Sequence, residues 1–287
     1  MRRALALTAM VATAAGGRLE AAAAPVIVRM AGRGGTAPLS TALAGILPSA
    51  RVVELTGDLP ADTARISRET RGIPVLFAIG PDATEAAGEA RGPAVVSLGV
   101  ANPAQLKTPG TYVSIYPNLD KVFEYVKTSL KATRVGLVFS PAKNREIGLQ
   151  FLKAGSAQGV TVLPITIGSS GDLVRELKGA LPKVDALLLA VDPVLFDERN
   201  LAFILDESLA ARKPTVGFLD GLAGLGVTVA LVAPAEEVAA AAVAASAQPV
   251  LVGKKRVEVD GIAVIVSRKA ATAIGLDGEA LGARKLE

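Results

Sequence analysis

ATRVGLVFSPAKN (132–144), GVTVLPITIGSSGDLVRELKGAL (159–181), KVDALLLAVDPVLFDERN (183–200) and ARKPTVGFLD (211–220) follow one another in the second half of the chain. Each carries a short apolar run, RVGLVF, VTVLPIT, VDALLLAV or PTVGFL, that stops at small, polar or turn-forming residues. Runs of that length without polar alternation predict strands buried on both faces. Helical patterns lie between them: REIGLQFLKAGSAQ (145–158), DLVRELKGALP (172–182) and NLAFILDESLAAR (200–212). Strands alternating with helices predict a parallel sheet, because a parallel partner can be reached only by a crossover. Ligands of open parallel sheets sit beyond the carboxyl ends of the strands. Those ends are SPAKN, DPVLFD and FLDGL, and they direct the search for a site.

The first half repeats the pattern. VIVRMAG (26–32), RVVELTGD (51–58), IPVLFAIG (73–80), PAVVSLGV (93–100) and TYVSIYP (111–117) read as strands, the last with period-two character. The loop GRGGT after the first strand offers Gly32, Gly34 and Gly35 at GxGG spacing. That is not the GxGxxG dinucleotide fingerprint, and a strand-to-helix turn explains it equally well. Beyond residue 220, GVTVALVA (226–233) reads as a strand and PAEEVAAAAVAASA (234–247) as an Ala-rich helix. VLVGKKRVEV and GIAVIVS read as a hairpin around Asp260-Gly261, a common turn pair. The fold class that results is α/β, two Rossmann-like lobes with parallel sheets and a hinge. The first lobe is expected over 25–117 with a returning segment at about 222–250, the second over 118–221 with a tail at about 251–287.

Composition removes several chemistries. The chain has 287 residues, 51% hydrophobic but only 3% aromatic, with no His and no Cys. Triads built on His or Cys, thiolate or imidazole metal sites and disulfides are excluded. No DxDxDG-type run supports a calcium loop, so no metal or cofactor is expected. The basic residues form no stripe interleaved with aromatics, which argues against nucleic acid as a partner. The chain opens Met1-Arg2-Arg3, then ALALTAMVATAAGG, then RLEAAAAP: a positive start, an apolar run and small residues at alanine spacing. This predicts an export signal over 1–24. The apolar run is shorter than the roughly 20 residues needed to span a bilayer. Removing it takes away three Arg and one Glu and leaves 28 basic against 26 acidic residues, from 31 and 27. The expectation is a near-neutral, periplasmic, monomeric protein.

From RVGLVFSPAKN through KVDALLLAVDPVLFDERNLAFI to ARKPTVGF, the chain resembles the ABC-transporter substrate-binding family of tryptophan/tyrosine-binding type. FAIGPDATEAA, LGVANP and the closing EEVAAAAV…VLVGKKRVEVDGIAVIVSRKAATAIGL extend the resemblance over most of the chain after Ala24. It implies the type I periplasmic binding fold, a small-molecule ligand such as an amino acid held between the lobes, and an ABC permease as partner. By position it also implies the contacts: Arg33, Gly34, Thr36, Pro81, Asp82, Ala83 and Asn102 from the first lobe, and Ser140, Asn144, Asp192, Pro193, Asp220 and Gly221 from the second. Asn102-Pro103 stands where the family usually has Asp-Pro.

The residue types fit a capture mechanism without chemistry. The Arg33 guanidinium suits a carboxylate, because it donates to two oxygens at once; it reads equally as a solvated loop charge. Asp192 or Asp220 suits an amino group, while Asp192 before Pro193 also reads as a turn former. Asp82 reads as a helix cap or as part of a helix start that receives an anion. Two alternatives stand beside capture. One is a sensory or scaffold protein on the same fold; the other is an enzyme using Asp192 and Asp197 as acid and base.

Overall fold

The computed structural model describes residues 24–32 and 36–282. Most of the expected signal, residues 1–23, and two expected contacts, Arg33 and Gly34, lie outside the described residues. Every apolar run named above becomes a strand. In chain order they are β1 (Val26–Met30), β2 (Arg51–Leu55), β3 (Val75–Ile79), β4 (Ala94–Val100), β5 (Gly110–Pro117) and β6 (Arg134–Phe139). β7 (Thr161–Thr166), β8 (Ala186–Leu189), β9 (Thr215–Gly217), β10 (Val229–Val232), β11 (Lys254–Val259) and β12 (Ala263–Val266) follow. They assemble into two six-stranded sheets, ordered β11-β5-β4-β3-β1-β2 and β12-β10-β9-β8-β6-β7. All pairings are parallel except β10 with β12.

The intervening helices are α1 (Ala37–Ile46), α2 (Leu59–Glu69), α3 (Pro81–Glu89), α4 (Leu119–Thr128), α5 (Pro141–Ala157) and α6 (Ser170–Ala180). α7 (Glu198–Ala210), α8 (Ala235–Ser246), α9 (Arg268–Ala273) and α10 (Gly278–Gly282) complete the set. α4 shows why these segments are helical. Asn118 caps it, its Oδ1 accepting from the backbone N–H of Asp120 at 2.9 Å. Val122, Phe123, Tyr125 and Val126 then recur at helical spacing and are all buried. The chain leaves the helix through Lys131 at φ +56°. Fully burying a side chain such as Phe123 contributes about 1.5–3 kcal/mol, so the apolar face rather than helix propensity holds α4 in place.

The tail corrects two expectations. The Asp260-Gly261 pair does not close a hairpin: β11 pairs with β5 in the first sheet, and β12 pairs with β10 in the second. The tail also does not divide at residue 250. β10 lies in the second sheet, α8 packs on the first through Val238, Ala239 and Ala242, β11 lies in the first, and β12 returns to the second. The physical reason is edge pairing. β5 and β10 each ended a sheet with a row of unpaired backbone groups, and the tail supplies one strand to each. The chain therefore passes between the lobes three times, at 117–119, 232–235 and 259–263.

Candidate functional site

Each crossing is tied to another by polar side chains. The Asn118 amide that caps α4 also donates to Asp260 Oδ1 at 2.9 Å, and Lys121 Nζ stands 3.5 Å from Asp260 Oδ2. The Gly261 N–H donates to Glu237 Oε2 at 2.9 Å, and any Cβ at Gly261 would lie 2.1 Å from the Glu237 carboxylate. Tyr116, at the end of β5, seats its ring in the second lobe against Phe151 and Phe218, with centroids 5.5 and 5.3 Å away. Its hydroxyl accepts from the Val191 N–H at 3.0 Å. Burial raises the Tyr116 phenol well above its ordinary value, so the hydroxyl stays protonated.

The strand ends hold most of the residues implied by the resemblance, but not in one place. Asp192 is fully buried, and its carboxylate accepts from the Ser140 N–H at 2.9 Å, the Asn144 amide at 2.7 Å and the Val194 N–H at 2.9 Å. Ser140 and Asn144 are buried with it, while Pro193 is exposed beside them. This cluster fixes the loop ends of β6 and β8 to each other. The Asp192 carboxylate is thereby engaged inside the second lobe. Asp197 caps α7 by accepting from the N–H groups of Arg199 and Asn200. Both members of the acid–base pair considered for an enzyme thus have structural partners.

In the first lobe, Pro81 and Asp82 are exposed at the start of α3, and Ala83 turns into the core. The N-cap position of α3 is Gly80, so Asp82, in the first turn, stands two residues too late to be its cap. Thr36 stands against Gly80 at the start of α1. α1, α3 and α5, which leave the ends of β1, β3 and β6, have no side-chain cap at their N-caps. α2 and α6, which leave the outer strands β2 and β7, are capped by Asp58 and Ser169. The starts of α1, α3 and α5 therefore carry no side-chain acceptor at their N-caps, an arrangement that suits an anion, whereas α7, which leaves β8, is capped by Asp197.

Two cavities span the lobes. The first holds about 320 Å³ and is walled by Leu39, Ile115, Phe218, Val232, Val238 and Ile265. Asp220 and Glu236 are the ionisable side chains on its lining, and Pro38 in the first turn of α1 reaches it. Asp220 Oδ1 accepts from the neighbouring Gly221 N–H at 2.7 Å; Oδ2 has no hydrogen-bond partner among the described residues. The second, of about 480 Å³, lies on the other face of β5 and is lined by Asn102, Tyr112, Glu146, Gln150, Lys254 and Arg256, among others. Asn102 caps the turn at Pro103–Gln105 and, with Gln105, donates to the Lys143 carbonyl across the seam. Burial, with a smaller contribution from Glu85, pushes the Tyr112 phenol up to about 12. Ser140 also reaches a third cavity, at the end of β7 within the second lobe.

Asp220 and Asn102 thus face different cavities, and Asp192 with Asn144 packs behind the seam. Sequence reasoning missed Glu236, Ile115 and Phe218. A Pro-Ala-Glu-Glu start directly after a strand was the available signal for Glu236; nothing local marked the other two. Among the described residues no group of three or more His, Cys, Asp or Glu is placed to hold a metal ion. Among them, too, no helix is long and apolar enough to cross a membrane.

No protein-family model matches the sequence, and no curated protein matches it. Solved structures do match in shape. The chain is similar to the ABC domain in complex with L-Trp from Streptococcus pneumonia, at 13% identity and a TM-score of 0.60, covering 89% of this chain and 96% of that one. It is similar to the ligand-free, open form of a substrate-binding protein with adhesive properties from Clostridium difficile, at 17% identity and a TM-score of 0.67, covering 88% and 94%. It is also similar to a LacI transcriptional regulator from a Rhodococcus species, at 12% identity and a TM-score of 0.51, covering 84% and 96%. The two lobes have the periplasmic-binding-type fold, which binding proteins and regulators share.

Proposed function

We propose that this protein is a periplasmic solute-binding protein of an ABC-type uptake system, which captures an amino acid or similar small solute between its lobes. The lobe-spanning apolar cavity carries the reading. Its walls suit an apolar side chain, and Asp220, with one carboxylate oxygen unpartnered among the described residues, suits an ammonium group. The uncapped start of α1, whose Pro38 and Leu39 line it, suits the solute's carboxylate. Of the two carboxylates considered for the amino group, Asp220 takes the role, because Asp192 already holds three donors. Contacts drawn from both lobes favour the closed arrangement, and the three crossings serve as the hinge. Arg33, Gly34, Thr36, Pro81, Asp82 and Gly221 complete the proposed contact set. Export by residues 1–24 and a permease partner belong to the same proposal.

A thermal-shift and calorimetric screen of the amino acids tests it. The expected result is saturable binding of at least one with an apolar side chain, abolished or strongly weakened by Asp220→Ala, with little change in unliganded stability. A screen without any hit, or binding indifferent to Asp220→Ala, overturns the reading. A protein of the same fold that only senses or scaffolds gives the first of these results.

A further inference from the structure

The second lobe-spanning cavity differs in chemistry from the first. Alternation along β5 and β11 puts Tyr112, Ser114, Lys254 and Arg256 on one face of the first sheet. The first lobe covers that face with the segment around Leu106, which packs on Tyr112 and Val100. α8 lies on the opposite face, against Val113, Val257 and Val259. α5 of the second lobe then closes the space with Glu146, Ile147 and Gln150. The lining carries two positive side chains, Lys254 and Arg256, against one negative, Glu146.

Neither cation is exhausted by its partners. The Lys254 ammonium donates to the carbonyls of Ala104 and Leu106 and meets no carboxylate among the described residues. An ammonium has three donors, so one remains. The Arg256 guanidinium donates to Gln150 Oε1 and, at 3.0 Å, to Ser114 Oγ, and its Nε lies 2.7 Å from Glu258 Oε1. Two hydrogen bonds leave three of its five N–H groups without one, the Nε–H among them despite the nearby Glu258 carboxylate. Arg256 is held across the seam by Gln150, so its position depends on both lobes.

We propose that this cavity is a second binding site, for a small anion bearing a carboxylate or phosphate group. The anion accepts from Lys254 and Arg256 in the first lobe, and its presence beside Gln150 adds a bridge between the lobes. Glu146, on the same lining, carries the anion's own sign of charge and weakens its binding. The site is independent of the amino acid reading, because it shares no lining residue with the apolar cavity.

Calorimetry and thermal shift on the intact protein at low ionic strength, with inorganic phosphate and with succinate, test it against chloride at matched ionic strength. Saturable binding of at least one anion is expected. Lys254→Met weakens it about tenfold or more, as expected for loss of a charge-assisted hydrogen bond. Glu146→Gln, on an exposed helix position, strengthens it several-fold by removing a like charge. Asp220→Ala leaves it unchanged, which separates this site from the proposed solute cleft. The proposal is overturned if neither anion binds beyond matched chloride, if Lys254→Met leaves affinity intact, or if Glu146→Gln weakens binding. Should Lys254→Met fail to fold, the Glu146→Gln result decides.

Discussion

Asp192→Ala separates a structural carboxylate from a ligand contact. The wild-type side chain is fully buried and accepts from two backbone N–H groups, of Ser140 and Val194, and from the Asn144 amide. Removing it leaves three donors without an acceptor, and each unsatisfied buried donor costs about 1–3 kcal/mol. Water entering the vacated space offsets part of this, so the net loss is about 3–5 kcal/mol. In a protein of this size that corresponds to a fall in Tm on the order of 10 °C. Urea unfolding is the assay, because an unchanged m-value with a lower midpoint assigns the effect to the folded state. Asp192→Asn keeps one acceptor but sets an amide N–H against a donor, and is expected to cost roughly half as much. If Asp192→Ala loses less than about 1 kcal/mol while solute binding disappears, the carboxylate serves a ligand and the account of the cluster is wrong.

Three further changes probe other parts of the fold. Gly110 sits at φ +148°, and a Cβ there would meet the Val95 carbonyl at 2.4 Å; Gly110→Ala is expected to cost about 1–3 kcal/mol, read by urea unfolding. Tyr116→Phe keeps the ring between Phe151 and Phe218 but removes the acceptor for Val191 N–H; about 1 kcal/mol of stability and slower hydrogen exchange at Val191 are lost together. For Asp62, burial raises the carboxyl pKa, but the N–H groups of Thr56 and Gly57, the Thr56 hydroxyl and Arg65 together outweigh it, so the net shift is downward. A lowered folded-state value contributes stability above the unfolded carboxylate range, near about 4, and loses it as pH falls through the folded value. The stability gap between wild type and Asp62→Asn should therefore narrow on acidification below that range; a constant gap refutes the assignment.

The strands were legible because buried parallel strands leave unbroken apolar runs, as RVGLVF and VDALLLAV do. The strand-end loops were legible for the same reason, and with them the place of Asp220 just beyond β9. The tail was not. Asp260-Gly261 has the local signature of a hairpin turn, yet which strand pairs with which depends on the edges that the other strands leave open. That choice also places the cavity walls. Phe218 and Ile115 meet only because the chain crosses between the lobes in this order, so no window around either residue could reveal them. Asp192 was legible as a strand-end carboxylate but not as a buried one, since its three donors come from residues as far away as Ser140.

A single strand explains why two cavities of opposite character flank one hinge. β5 reads GTYVSIYP, and its side chains alternate between the faces of the first sheet. Val113 and Ile115 point to the α8 side, where the apolar cavity opens beside Ile115. Tyr112 and Ser114 point the other way, where Tyr112 lines the polar cavity and Ser114 holds Arg256. Tyr116 continues that second face into the core of the other lobe. β5 is therefore a wall common to both cavities and one of the three crossings, so a solute that reorients the lobes about it changes both spaces at once. Coupling between the sites is reciprocal by thermodynamic necessity. If an amino acid favours closure, phosphate or succinate affinity must change by the same factor as the amino acid's affinity changes in the anion's presence. Calorimetric titrations run in both orders measure the two factors. A common factor different from one shows that the two sites are coupled, and a factor of one in both orders shows that the shared wall does not transmit a change between them.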